Sequence, residues 1–242
     1  MSIFLAGAGP DPLGFPDVFD RFAEDIRRHA APGRTARIAV AVHHHGGSLQ
    51  ELVEICAGPL RPRLDCEVVP VPLAEGRTAD PADFSGVDGV VVGGGLTPAY
   101  WKGLRPAGTA ISGLVAGGAP YLGFSAGAMV APGPALIGGC RINGVDVCGE
   151  ECSEGLDAVD VREGLGMVPF AVDVHAAQAG TLSRAVGAVA AGLVEWAVAI
   201  DEGTAVVLES VGDRDYKVIG SGNCWDIRGA AGEARVSVRT AG

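Results

Sequence analysis

Two hydrophobic periods alternate along the first half of this chain. Short, nearly unbroken apolar runs at residues 3–6, 37–42, 66–71, 87–92 and 121–124 read as strands covered on both faces. Between the first two runs, Val18, Phe19, Phe22 and Ile26 recur at helical spacing within residues 15–29, which predicts an amphipathic helix. Leu49, Leu52, Val53 and Ile55 predict a second helix. Ser48 is placed to cap it and Glu51 to complete a capping box. A third helical region, residues 100–115, is interrupted at Pro106. Strands alternating with helices predict an α/β fold with a mainly parallel central sheet, flanked by helices and joined by right-handed crossovers. Ligands in such sheets bind beyond the carboxyl ends of the strands.

The second half has a different rhythm. An Ala-rich helix is predicted over residues 181–194. Short strand-like runs lie at 168–174, 196–200, 205–209, 217–220, 224–227 and 235–238. Such consecutive short runs predict antiparallel strands added to the sheet edge. No linker, low-complexity tract or internal repeat divides the sequence, so residues 1–242 read as one domain.

Composition narrows the function classes. Apolar residues make up 48% of the chain and charged residues 19%, a globular balance with enough length for a substantial core. The net charge of −11 argues against nucleic acid or an anionic membrane as partner. None of the six cysteines (Cys56, Cys66, Cys140, Cys148, Cys152, Cys224) forms a C-x-x-C pair. Free thiols, no metal and no cofactor are expected. The first residues lack a basic leader and no apolar run reaches membrane-spanning length, so a cytoplasmic protein is expected. A homodimer is compatible with all of this.

The chemistry concentrates at Gly123-Phe124-Ser125-Ala126-Gly127, a G-x-S-x-G turn between a predicted strand and small residues able to open a helix. The flanking glycines suit a crowded turn that holds the Ser125 hydroxyl at the sheet's carboxyl edge. A serine hydroxyl needs a base. His29 ends a helix and reads as structural, whereas His175 follows a short strand at a position able to face the crevice. A carboxylate should orient that imidazole. Asp201 and Glu202, at the end of another strand, are candidates; so are Asp146, Asp160 and Asp173. His43, His44 and His45 also end a strand. They read as a catalytic or substrate-binding loop, a hydrogen-bonded loop or, less readily, a metal site.

Four segments together resemble the dipeptidase E and cyanophycinase family of serine peptidases, which share a fold with class I glutamine amidotransferases. They are Val91-Val92-Gly93-Gly94-Gly95-Leu96-Thr97, Gly123-Phe124-Ser125-Ala126-Gly127-Ala128, the stretch from Gly164 through Asp173-Val174-His175, and Ile200-Asp201-Glu202-Gly203-Thr204-Ala205. The resemblance implies a three-layer, amidotransferase-like fold and a serine exopeptidase acting on a dipeptide or short peptide. It implies Ser125 as nucleophile, His175 as base and Glu202 as orienting acid, with Asp201 as fallback. The amides of Gly94 or Gly95 and of Ala126 would form the oxyanion hole. Serine at the turn argues against an amidotransferase, and the order serine, histidine, acid argues against an α/β-hydrolase. Where the family's glycine turn commonly continues with Asn or Asp, this chain has Leu96. With Thr97 and the three histidines it is expected to touch substrate, and to favour neutral or basic dipeptides over N-terminal aspartate. The alternatives are an esterase or amidase using the same residues on a non-peptide acyl compound, and a non-catalytic binding protein on the same scaffold.

Overall fold

The computed structural model describes residues 2–44, 46–230 and 233–241. In chain order the strands and helices are β1 (Ile3–Ala6), α1 (Pro16–His29), β2 (Ala36–His43), α2 (Leu49–Ala57), β3 (Cys66–Leu73), β4 (Gly89–Val92), α3 (Thr97–Leu104), α4 (Gly108–Ala116), β5 (Tyr121–Phe124) and α5 (Ala126–Val130). The second half holds β6 (Pro134–Gly138), β7 (Arg141–Ile142), β8 (Val145–Asp146), β9 (Asp160–Glu163), β10 (Ala171–Val174), α6 (Leu182–Ala190), β11 (Trp196–Ile200), β12 (Thr204–Leu208), β13 (Lys217–Gly220), β14 (Asn223–Ala230) and β15 (Glu233–Thr240).

The central sheet has seven strands in the order β13-β12-β1-β5-β4-β2-β3. The five strands from β1 to β3 run parallel; β12 and β13 extend the edge antiparallel. Its inner strands look uniformly apolar because both faces are covered, yet the pleat deals their side chains alternately. Ile3 and Leu5 of β1, Val90 and Val92 of β4 and Tyr121 of β5 enter one core. Phe4, Ala6, Val91, Leu122 and Phe124 enter the other. The second core is closed by α1 and α2, with Phe22 of α1 edge-on to Phe4 and Phe19 stacked near Phe124.

The first core is covered by α3, α4 and α5 and by a separate four-stranded sheet, β10-β11-β14-β15, with α6 against it. This sheet corrects the expectation that every late strand joins the central edge. Only β12 and β13 do so; β10 and β11 pair parallel, and β14 and β15 continue antiparallel. Period-two patterning assigns strands but not partners, so the split was not readable locally. Pro106 acts as expected: a short 3₁₀ turn, Arg105–Ala107, separates α3 from α4. The Ser48 hydroxyl accepts the Glu51 amide at the start of α2.

Candidate active site

β5 ends directly in Ser125, whose backbone stands at φ 49° and ψ −108°, a conformation costing a non-glycine residue about 1–3 kcal/mol. The two flanking glycines make it possible. A methyl on Gly123 would fall 2.5 Å from the Gly127 carbonyl, and one on Gly127 would fall 2.5 Å from the Val92 carbonyl. The chain thus folds back on itself and on β4 at once, and Ala126 opens α5 with its amide unclaimed by a preceding helical turn.

β10 delivers His175, also at positive φ (55°). The Ser125 amide donates to the Ala6 carbonyl and the His175 amide to the Gly7 carbonyl, both 3.0 Å. Two residues 50 positions apart are therefore pinned to consecutive carbonyls at the end of β1. Ser125 Oγ lies 3.0 Å from His175 Nε2, and His175 Nδ1 lies 2.7 Å from Glu202 Oε1. A carboxylate can only accept, so Nδ1 carries the ring proton and Nε2 is left to accept from the serine hydroxyl. The Glu202 amide donates to the Gln178 side chain at 3.0 Å, which fixes the turn after β11.

The other carboxylates have different occupations. Asp201 is buried; it accepts from the Ala177 and Asn223 amides, Asn223 Nδ2 and Trp225 Nε1. It braces the turn that presents Glu202. Asp173 is fully buried in a two-pronged ion pair with Arg184 (2.6 and 2.8 Å). Asp146 pairs with Arg141, and Asp160 with Arg162.

A cavity of about 280 Å³ opens beside Ser125 and His175. Gly93, Gly94 and Gly95 form one rim and Val42, Leu52, Ile55, Cys56 and Tyr100 the wall beyond it. Tyr100 donates its hydroxyl to the Gly94 carbonyl at 3.0 Å and accepts the His43 amide at 3.1 Å. Burial pushes the Tyr100 phenol and the Cys56 thiol each up to about 12, so both are neutral in the working range. These wall residues carried no motif; only the packing of α2 and α3 against β2 brings them to the serine.

Several expected contacts are absent from this cavity. Thr97 is buried with its hydroxyl on Met129 and its amide on Glu154 Oε2 at 2.9 Å. Leu96 is exposed ahead of α3 and lies outside the lining. The pleat explains the histidines: Val42 faces the serine cavity, so His43, the next residue, faces the other side of the sheet. There it lines a hollow with Glu75, Ala99 and Lys102. His44 continues the pairing with β3 through its amide to Leu73 and does not line the cavity; His45 lies outside the described residues. Residues 140–154 also stay off the cavity; among them Glu154 reaches α3. Among the described residues no group of three or more His, Cys, Asp or Glu side chains is arranged to hold a metal ion, and no helix is long and apolar enough to cross a membrane.

Residues 45–213 match the family model described as Peptidase family S51. The chain belongs to this family. It is accordingly a serine peptidase of the dipeptidase E type. No curated protein matches the sequence. Among solved structures, a peptidase from an acI-B1 actinobacterium superposes with a TM-score of 0.60 at 17% identity, over 100% of this chain and 94% of that one. A structure described as a peptidase E protein from Listeria monocytogenes EGD-e superposes with a TM-score of 0.54 at 15% identity, over 90% of this chain and 98% of that one. At those identities the likeness is one of fold, and it extends through both sheets of this S51 peptidase.

Proposed function

We propose that this S51 peptidase is an exopeptidase that hydrolyses dipeptides or short peptides through Ser125, His175 and Glu202. The observation that carries the reading is the unbroken relay from Ser125 Oγ through the His175 ring to Glu202 Oε1, at 3.0 and 2.7 Å. In the first step Ser125 Oγ bonds to the scissile carbonyl carbon and His175 Nε2 takes the hydroxyl proton. Glu202 holds the ring in the required tautomer and stabilises the imidazolium. The amides of Gly94 or Gly95 and of Ala126 receive the negative charge that develops on the carbonyl oxygen. Collapse breaks the C–N bond, and His175 returns its proton to the departing amine. Water then repeats the sequence on the acyl-enzyme, freeing the acid and Ser125. The modest cavity supports a short substrate, with room for one side chain beside the serine rather than a long peptide.

A fluorophosphonate probe tests the nucleophile. Labelling of the wild type and none of Ser125→Ala, together with dipeptide hydrolysis by the wild type alone, is the expected result. Turnover retained by Ser125→Ala would refute the assignment. Hydrolysis of aryl esters with no peptide cleaved would retain the serine and reject the exopeptidase reading.

A further inference from the structure

We infer that the cavity beside Ser125 is a subsite for an uncharged apolar side chain, aliphatic or aromatic, on the acyl side of the scissile bond. The inference rests on the serine-hydrolase reading for the meaning of the acyl side, and on the wall itself for its chemistry. A methyl placed on Gly93 would fall 2.8 Å from Tyr100 Oη and 3.3 Å from Cys56 Sγ and Val42 Cγ1. The apolar wall therefore stands behind the glycine turn, whose Gly94 or Gly95 amide would receive the carbonyl oxygen in the proposed mechanism. His175, which must reach the leaving amine, lines the same cavity at Ser125, whereas Val42, Cys56 and Tyr100 line it at Gly93. A side chain carried by the residue that acylates Ser125 consequently enters between the turn and α2.

No Lys, Arg, Asp or Glu is among the residues lining this cavity. An acidic side chain would lose its hydration and meet no cation; a basic one would meet no carboxylate. This excludes the basic substrates that the sequence left open together with the neutral ones. It also moves the origin of selectivity from Leu96 to α2. Leu52 and Ile55 lie one helical turn apart on the face turned to the serine, and Cys56 closes the floor as a neutral thiol.

Binding to Ser125→Ala tests the subsite without requiring turnover, so it is separable from the catalytic reading, which the fluorophosphonate and hydrolysis measurements decide. Calorimetric titration with Leu-Ala, Asp-Ala and Lys-Ala should give Leu-Ala at least about tenfold tighter than either charged dipeptide, the scale on which apolar pockets discriminate. Ile55 is exposed, so Ile55→Arg in the same background should fold normally, which circular dichroism checks. It should weaken Leu-Ala and strengthen Asp-Ala until their ratio shifts by about tenfold or more. Leu52→Ala should weaken Leu-Ala without helping Asp-Ala. Equal or tighter binding of Asp-Ala or Lys-Ala by the parent, no binding of any of the three, or a ratio unmoved by both substitutions would overturn the inference.

Discussion

At the scale of single residues, Asp201 and Glu202 show how neighbours in sequence divide two tasks. Asp201 points inward and gathers hydrogen bonds from two different segments; Glu202 points outward to the His175 ring. Glu202→Ala is expected to lower kcat by about 10²–10⁴-fold while leaving the melting temperature nearly unchanged, because it removes one half-exposed contact. Asp201→Ala should instead lower the melting temperature markedly. It leaves several partly buried donors without their acceptor, at up to about 1–3 kcal/mol for each. Parallel kinetics and thermal melts separate the two outcomes; a stable but inactive Asp201→Ala with an active Glu202→Ala would reverse them. The sequence offered the serine clearly, because the G-x-S-x-G turn is defined by contacts within five residues. Residue type and position alone could not rank the adjacent acids, and only the family resemblance put Glu202 before Asp201, since which one faces the histidine depends on Asn223 and Trp225 from a distant strand. The same limit hid Leu52, Ile55 and Tyr100, and it placed Thr97, His43 and His44 at a cavity that they do not line.

At the scale of elements, α6 is fastened to β10 by the buried pair Arg184–Asp173. The same guanidinium donates to the carbonyls of Gly139 and Cys152, 3.4 and 2.5 Å away, so one side chain ties the excursion around β7 and β8 to the second sheet. Asp173→Ala should cost about 3–5 kcal/mol in urea unfolding, since it strands a buried cation. Asp173→Leu combined with Arg184→Met should recover much of that loss. Additive losses in the double variant would show that the pair is not coupled. Glu154 ends the same excursion and caps α3 through the Thr97 amide. Burial raises its carboxyl above the ordinary range, against the opposing pull of that amide. A folded value above the unfolded one means that its contribution is complete below the unfolded carboxylate value and is lost as pH rises through the folded one. Glu154→Gln keeps an acceptor without the charge, so its stability should fall less than the wild type's between acid and neutral pH. Denaturation midpoints across that window measure the difference, and superimposable curves would reject it. The helices α1 and α2 and the early strands were legible from periodicity, because each buries a face of its own. The second sheet was not, because its strands differ from the central ones in partner rather than in pattern.

At the scale of the whole molecule, the two sheets meet at Gly7. Its amide donates to the Thr204 carbonyl of β12 at 2.9 Å while its carbonyl holds the His175 amide. A methyl there would fall 2.2 Å from the Asp201 carbonyl oxygen and 2.7 Å from that of Ile200. These are backbone atoms with no freedom to rotate away, so Gly7→Ala should push the second sheet from the first and lengthen the relay. Loss of most activity together with a lowered melting temperature is expected; wild-type kinetics in that variant would show that the junction tolerates the displacement.

The seating of β1 also sets a timetable. Its neighbours are β5 and β12, which end at residues 124 and 208, and the histidine and acid lie at 175 and 202. A polypeptide emerging from the ribosome exposes Ser125 before His175, Glu202 and the strand β12 that flanks β1. Such late pairing of an early strand delays assembly. On the proposed mechanism, a nascent chain that has not yet passed residue 202 carries Ser125 without its complete relay to His175 and Glu202.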